Sequence, residues 1–294
     1  MATTSDYLKL HFIVFMWGST AIVAKLISIP AVEMVFYRVL IAALGMAALI
    51  LFRKETFKVS LKDFLLLIAL GILVGAHWIA FFVSGQISTA SVSLVGFATC
   101  SLWTAIIEPL SNKKKIKPLE IGLGLSVLVG LYVIFSFDFK FYWGLSLGIL
   151  SGFLLAILSV FNSHLVRRVS STTITFYEMV GGFIFCAAFL PIYQNYWAIN
   201  HELILNPTLK DWIYITLLAL ACTVYAYSVT IELMKRLSVF VIQLSLNLEP
   251  VYGIMMAVLL LNEGKFLNLS FCIGTLIILA SVACYPLLKR RFDS

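Results

Sequence analysis

The sequence predicts an all-α polytopic membrane protein, with ten transmembrane helices arranged as two inverted five-helix repeats around a central cavity. Three observations predict it. Apolar residues fill 62% of the 294 positions, and Asp, Glu, Lys and Arg only 12%. A soluble domain has roughly 45–50% and about 25%, and the mean hydropathy of +1.03 points the same way. The apolar residues form runs long enough to cross a bilayer, whose ~30 Å core takes about 20 helical residues. The second half of the chain also echoes the first.

Breaking the chain at charges, prolines and polar clusters gives spans at about 8–28, 31–52, 63–84, 88–110, 118–137, 141–166, 171–193, 211–232, 237–261 and 267–288. The first continues past twenty residues without a small-residue cleavage site, so it reads as a span and not as a signal peptide. It carries "MWGST", with Trp17 central and Gly18 allowing close helix approach. Span two holds Arg38 about a third of the way down. Span three holds His77 within "GAHWIAFF", flanked by Trp78 and Phe81. Span four offers Ser91, Thr99 and Trp103, with Glu108 near its inner end. Span five, "IGLGLSVLVGLYVIF", is free of charge. Span six offers Ser159 and Asn162, and span seven carries Glu178. After the longest connection, around 194–210, span eight brings Tyr225 to the position matching His77. Span nine holds Gln243, Asn247, Glu249 and Pro250. Span ten is apolar or small apart from serine, threonine and cysteine, so spans five and ten are expected at the periphery.

Orientation follows from lysine and arginine in the connections. With the N-terminus inside, sixteen of the 21 basic residues fall on the inner side. Only Lys25, Lys140, Lys210 and Lys265 fall outside, and Arg38 lies within a span. Both termini are therefore expected in the cytoplasm. The net charge of +7 sits in these short loops and is no nucleic-acid footprint. The five cysteines lie in apolar runs without CxxC spacing and read as small buried hydrophobes.

The repeat shows as matches in chain order. "FYR" at 36–38 meets "FYE" at 176–178, and "LKDF" at 61–64 meets "LKDW" at 209–212. Further on, Leu110, Asn112, Lys115, Leu119 and Gly124 meet Leu260, Asn262, Lys265, Leu269 and Gly274. Two units follow, 1–138 and 139–294. Five spans is an odd number, so the second unit enters the membrane upside down. Inverted repeats recur in secondary transporters, whose sites lie near the midplane between the halves.

A charge at a helix centre costs about 2.5–3.5 kcal/mol on insertion scales, so intramembrane ionisable residues face partners or water. Glu249 lies about twelve residues into span nine, roughly 18 Å along it at 1.5 Å per residue. Pro250 leaves the carbonyl of Leu246 without its usual donor, which is tolerated at this depth only against protein or in a cavity. Arg38 and Glu178 are repeat-equivalent and opposite in charge. Each of these groups reads either as a contact to substrate or proton, or as a strut between helices; Glu108 reads as interfacial and structural. No Walker A lysine, GxSxG, HExxH or paired acidic metal motif occurs. The sequence thus calls for no catalytic residue, no metal and no cofactor.

With these residues in view, the chain resembles the drug/metabolite transporter superfamily, in its EamA branch. "WGS" at 17–19, "FYR" at 36–38 and "LEPVYGIMMAVLLLNE" followed by "IGTLIILASV" carry the resemblance, closed by Glu263 and Gly274. The first repeat departs from it: Cys100 stands where Pro250 does, and Lys113 where Glu263 does. The resemblance implies a helical basket with a central cavity, working by alternating access in the bacterial inner membrane. It further implies a small metabolite, such as an amino acid or related amphiphile, moved outward. The expected site is Glu249, Arg38, His77, Trp17, Trp78, Thr99, Trp103, Asn162, Glu178, Tyr225 and Asn247, with Pro250 and Gly18 shaping the helices around it. The expected partners are the small-molecule substrate, the lipid bilayer and protons as coupling ion, with no nucleic acid; monomer and dimer stay open. A channel or facilitator, a membrane receptor and a membrane enzyme are the competing readings.

Overall fold

The computed structural model describes residues 2–135, 141–261 and 269–292. Its helices are α1 Thr4–Gly18, α2 Thr20–Lys25, α3 Ala31–Phe52, α4 Leu61–Ile87, α5 Ala90–Ser111, α6 Pro118–Phe135 and α7 Tyr142–Leu165. They continue with α8 Ser171–Tyr196, α9 Leu209–Ala219, α10 Ala226–Leu233, α11 Val239–Leu246, α12 Glu249–Leu261 and α13 Leu269–Phe292. A π-helical segment, Leu220–Tyr225, joins α9 to α10. No strand occurs among the described residues. Glu263 and Lys265 lie outside them.

Among the described residues six stretches are long and apolar enough to cross a membrane: Ala31–Phe52, Leu61–Ile87, Val92–Ser111, Tyr142–Leu165, Ser171–Tyr196 and Leu209–Leu233. Pro118–Ile134 and Leu269–Tyr285 are shorter apolar helices. Large side chains such as Leu44, Leu51, Phe52, Leu65, Ile184 and Leu276 point outward, as expected where the surrounding solvent is lipid. The chain is a multi-pass membrane protein.

Polar residues start the helices. Ser60, Thr89, Ser170, Thr208 and Ser238 have extended backbone, and each side chain accepts from the amide three residues on. Each satisfies a donor the helix cannot use itself. Thr3 and Asp6 form a reciprocal capping box at the start of α1, and Thr208 and Asp211 form another.

Lipid tails are as apolar as leucine, so helices in a bilayer are held by close packing at small residues. α5 lies against α7 at Gly96 and Gly148, α4 against α8 at Gly71 and Gly181, and α6 against α13 at Gly130 and Gly274. A methyl group at any of these would run into the partner's backbone. α4 also packs on α7, and α3 on α8. A looser set joins α3 to α9 and the π segment, and α1 to α10, α11 and α12. At one end of the bundle Glu108 accepts from the amides of Val239 and Phe240, at 3.1 and 2.8 Å, holding α11 to α5. It is a structural carboxylate, as the sequence suggested.

Candidate functional site

The run from Leu246 to Pro250 does not continue as one helix. α11 ends at Leu246, Asn247 and Leu248 form a turn, and Glu249 opens α12. Pro250 therefore sits in the first turn of α12, where a backbone donor has no intrahelical partner. The side-chain Nδ2 of Asn247 donates to the backbone carbonyl of Gln243 at 3.2 Å, satisfying one acceptor at the broken end. At the equivalent Cys100, α5 runs on unbroken. The break places the Glu249 carboxyl at a helix N-terminus, where the unpaired amides favour negative charge. Gly18 makes this possible from the other side: a Cβ there would sit 2.9 Å from the Glu249 carbonyl oxygen.

The break borders a cavity with about 80 Å³ of free space. Its charged and titratable lining is Arg38, His77, Cys222, Tyr227 and Glu249. Its aromatic wall includes Trp17, Trp78, Phe81, Phe82 and Phe97. Arg38, 4% exposed, stacks its guanidinium 4.1 Å from the centre of the Trp78 ring, a favourable cation–π contact. Its Nε donates to the Thr223 hydroxyl at 3.1 Å. Among the described residues no ion pair within 4 Å joins Arg38 to Glu249, so neither charge consumes the other.

The neighbouring polar groups are more fully engaged. His77 Nδ1 lies 3.0 Å from the Ser151 carbonyl oxygen. The Ser151 hydroxyl oxygen lies 2.7 Å from the same nitrogen, so Ser151 holds this edge of the ring through both of its oxygens. The ring also stacks on Phe97, with centroids 5.7 Å apart. Trp17 Nε1 donates to the Cys222 carbonyl at 2.8 Å, tying α1 to the π segment. Gln243 spans three helices: its amide donates to Ser159 at 2.7 Å and its oxygen accepts from the Cys100 thiol at 3.3 Å.

Of the site residues expected from sequence, Trp17, Arg38, His77, Trp78, Asn162 and Glu249 share this cavity. The others lie elsewhere. Thr99 donates back to the Gly96 carbonyl at 2.6 Å, on the face that meets α7. Trp103 packs edge-on against Phe153 of α7, with centroids 5.2 Å apart. Asn247 closes the end of α11. Tyr225 is 46% exposed, borders a separate lateral groove with Arg53 and Glu232, and touches Phe12. Glu178 is fully buried behind the wall, where its Oε2 accepts from the Tyr227 hydroxyl at 2.8 Å. Tyr227, Gln243, Cys222 and Phe97 are wall residues that the site expectation left out. Only Gln243 carried a signal, four residues before Asn247 on a polar stripe.

Fold and cavity together define a class: a multi-pass helical membrane protein with a charged, aromatic chamber inside the bundle. The family model of the EamA-like transporter family matches residues 7–136 and again residues 142–285. The chain belongs to that family, which makes it a membrane transporter of the drug/metabolite type. One crystal structure, titled only as that of a protein, is similar to this chain at 16% identity. It covers 100% of both chains with a TM-score of 0.78, which bears on the fold alone. No curated protein matches the sequence.

Proposed function

We propose that the protein is a secondary transporter that exports a zwitterionic small metabolite, an amino acid or related amphiphile, across the bacterial inner membrane by alternating access. The observation that carries this reading is the pair of opposite charges, Arg38 and Glu249, unpaired with each other in one aromatic-walled cavity. Glu249 takes the substrate ammonium or a coupling proton. Arg38 takes the carboxylate, and Trp17, Trp78 and Phe97 take the side chain, with His77 and Asn162 as further polar contacts. Of the remaining expected residues, Thr99, Trp103 and Asn247 act through helix packing, Tyr225 stands on the lateral groove outside the site, and Gly18 and Pro250 let the chain break at Glu249.

The ten-span, two-repeat reading is part of this proposal. α1–α2 and α11–α12 then count as two interrupted crossings, and α9 with the π segment and α10 as one. Two successive family matches support units 1–138 and 139–294. So does the packing. If each crossing is exchanged for its counterpart five along, the contacts of four with six and of three with seven become those of one with nine and of two with eight. All four contacts occur. The contact between crossings five and ten, α6 with α13, maps onto itself.

A free space of about 80 Å³ is far below the roughly 300–1,000 Å³ of ligand clefts. Loading therefore widens the cavity, as expected of a carrier passing through a contracted state. The test is a thermal-shift screen of purified protein against zwitterionic metabolites, because a ligand of the folded state raises its stability by mass action. Counterflow of a hit in proteoliposomes follows. Saturable exchange that falls about tenfold or more in Glu249→Gln is expected, since a charge-assisted contact contributes about 1.5–3 kcal/mol. Linear, unsaturable flux would indicate a channel, and undiminished exchange in the variant would remove Glu249 from the site.

A further inference from the structure

Glu178, a buried carboxyl behind the cavity wall, stands outside the substrate contacts. Glu178 lies in α8 seven residues after its start, roughly 10 Å along the helix axis. It is 0% exposed. Its Oε2 accepts from Tyr227, while Oε1 has no partner. Asn162, 1% exposed, donates through Nδ2 to the Tyr227 hydroxyl oxygen at 3.4 Å, and its Oδ1 also has no partner. Two buried, unsatisfied acceptors thus flank one hydroxyl. Acceptors in that state call for a donor, because an unsatisfied buried polar group costs about 1–3 kcal/mol, and more when charged.

The surroundings restrict what that donor is. Glu178 does not itself line the cavity, but Tyr227 and Asn162 do. Behind it α4 and α8 meet backbone to backbone at Gly71 and Gly181, leaving no room for an ammonium-bearing molecule. The charged and titratable groups on the packed elements are Glu33, Tyr37 and Arg38 on α3, Lys62, Asp63 and His77 on α4, Tyr227 and Glu232 on α10, and His201 on the turn after α8; Glu232 pairs with Lys235, and His201 lies against the Gln194 carbonyl. Arg38 is engaged by Thr223 and Trp78, and His77 by Ser151. Glu33, Lys62 and Asp63 stand at helix ends, and Tyr37 donates to the Leu205 carbonyl. Among them only Tyr227 is bonded to Glu178, and no ion pair to Glu178 occurs among the described residues.

We propose that Glu178 is a proton-binding site, loaded and emptied from the central cavity through Tyr227 and Asn162, and distinct from the Arg38–Glu249 substrate site. In the loading step a hydronium ion in the cavity gives a proton to the Tyr227 oxygen as the Tyr227 hydroxyl passes its own to Glu178 Oε2. Tyrosine ends neutral, the carboxyl ends protonated and water is released. The neutral acid then offers its proton to an acceptor such as Asn162 Oδ1. Unloading is the reverse. A link to transport exists in span eight: Tyr227 stands four residues after Thr223, which holds Arg38, and the Trp78 ring lies between, 6.5 Å from the Tyr227 ring. The role of this proton in a transport cycle rests on the function proposed above; the site itself does not.

The test uses the whole purified protein and protons alone. Infrared difference spectra between acid and alkaline pH should show a carboxylic-acid band replaced by a carboxylate band. Glu178→Gln should remove that pair of bands, and Glu249→Gln should leave it. Tyr227→Phe keeps the ring and removes the hydroxyl, so it should shift the carboxyl band and slow its appearance after a pH jump. Spectra of Glu178→Gln identical to wild type would overturn the proposal. If that variant does not insert, an unshifted and equally fast band in Tyr227→Phe would overturn it instead. The band without any saturable flux would leave the site standing and sink the transporter reading; saturable flux without the band would do the reverse.

Discussion

At the scale of single residues, this protein places hydrogen-bonding groups where helices alone leave carbonyls or charges unsatisfied. Trp17 illustrates it. Its indole N–H reaches a Cys222 carbonyl in the π segment, where the regular ladder is disturbed. Trp17→Phe keeps most of the apolar contact and deletes the donor. The expected cost is about 0.5–1.5 kcal/mol, read as a lower melting temperature in detergent; an unchanged melt would mean the carbonyl is satisfied without it. Asp6 illustrates the charged case outside the membrane. The Thr3 backbone N–H and hydroxyl both donate to it at 2.9 Å, and Arg236 donates at 2.9 Å. The Thr3 backbone bond first, and then the Thr3 hydroxyl and Arg236, hold its carboxyl below the usual carboxylate range. A depressed folded value stabilises the fold above the unfolded value, and that stability is lost as pH falls through the folded one. Asp6→Asn should therefore melt below wild type at neutral pH. The two should converge in acid once Asp6 is protonated in both states, and a gap independent of pH would contradict the charge argument.

At the scale of elements, hydropathy made the long helices legible, because a bilayer demands uninterrupted apolar runs. It could not show how span eight is wound. A π turn carries an extra residue, and one residue in an α-helix is about 100° of rotation. Leu220–Tyr225 therefore turns Tyr225 toward the lateral groove and brings Tyr227 to the cavity, two residues from where the repeat offset pointed. Thr99 and Trp103 were misplaced for another reason: Gly96 commits that face of α5 to α7, and the pairing of faces is a tertiary fact. The interruption at Pro250, by contrast, could be read directly, since a missing donor is a property of the residue. The crossing of α1 over α12 depends on Gly18 in the same local way. Gly18→Val would drive a side chain into the Glu249 carbonyl and the Tyr252 Cβ, 2.9 and 3.1 Å from its first carbon. Overpacking of this kind costs about 1–3 kcal/mol. Gly122, whose Cβ would meet nothing within 4 Å, is the control, and Gly122→Ala should be neutral or stabilising. Equal melts for both variants would show that α1 does not need to lie this close to α12.

At the scale of the whole molecule, the claim to test is inversion. Two units of similar sequence with an odd number of crossings must enter the membrane in opposite senses, and the packing pattern that survives exchange of the halves is what such a pair produces. The distribution of lysine and arginine then predicts which side is inner. Two exposed positions separate the possibilities. Lys58 follows α3 and, after two crossings from an inner N-terminus, lies inside. Asn206 precedes α9 and, after seven, lies outside. In a variant whose native cysteines are replaced by serine or alanine, Asn206→Cys should react with a membrane-impermeant thiol reagent on intact cells. Lys58→Cys and a cysteine appended after Ser294 should react only once the membrane is opened. The reverse pattern would invert the protein in the membrane and leave the repeats intact. Labelling of Lys58→Cys and Asn206→Cys from the same side would be more damaging, because an even number of crossings would separate them and the five-plus-five reading would fail. Labelling of the appended cysteine on intact cells, with the other two as expected, would place the fault in the second unit, between α9 and the end of α13.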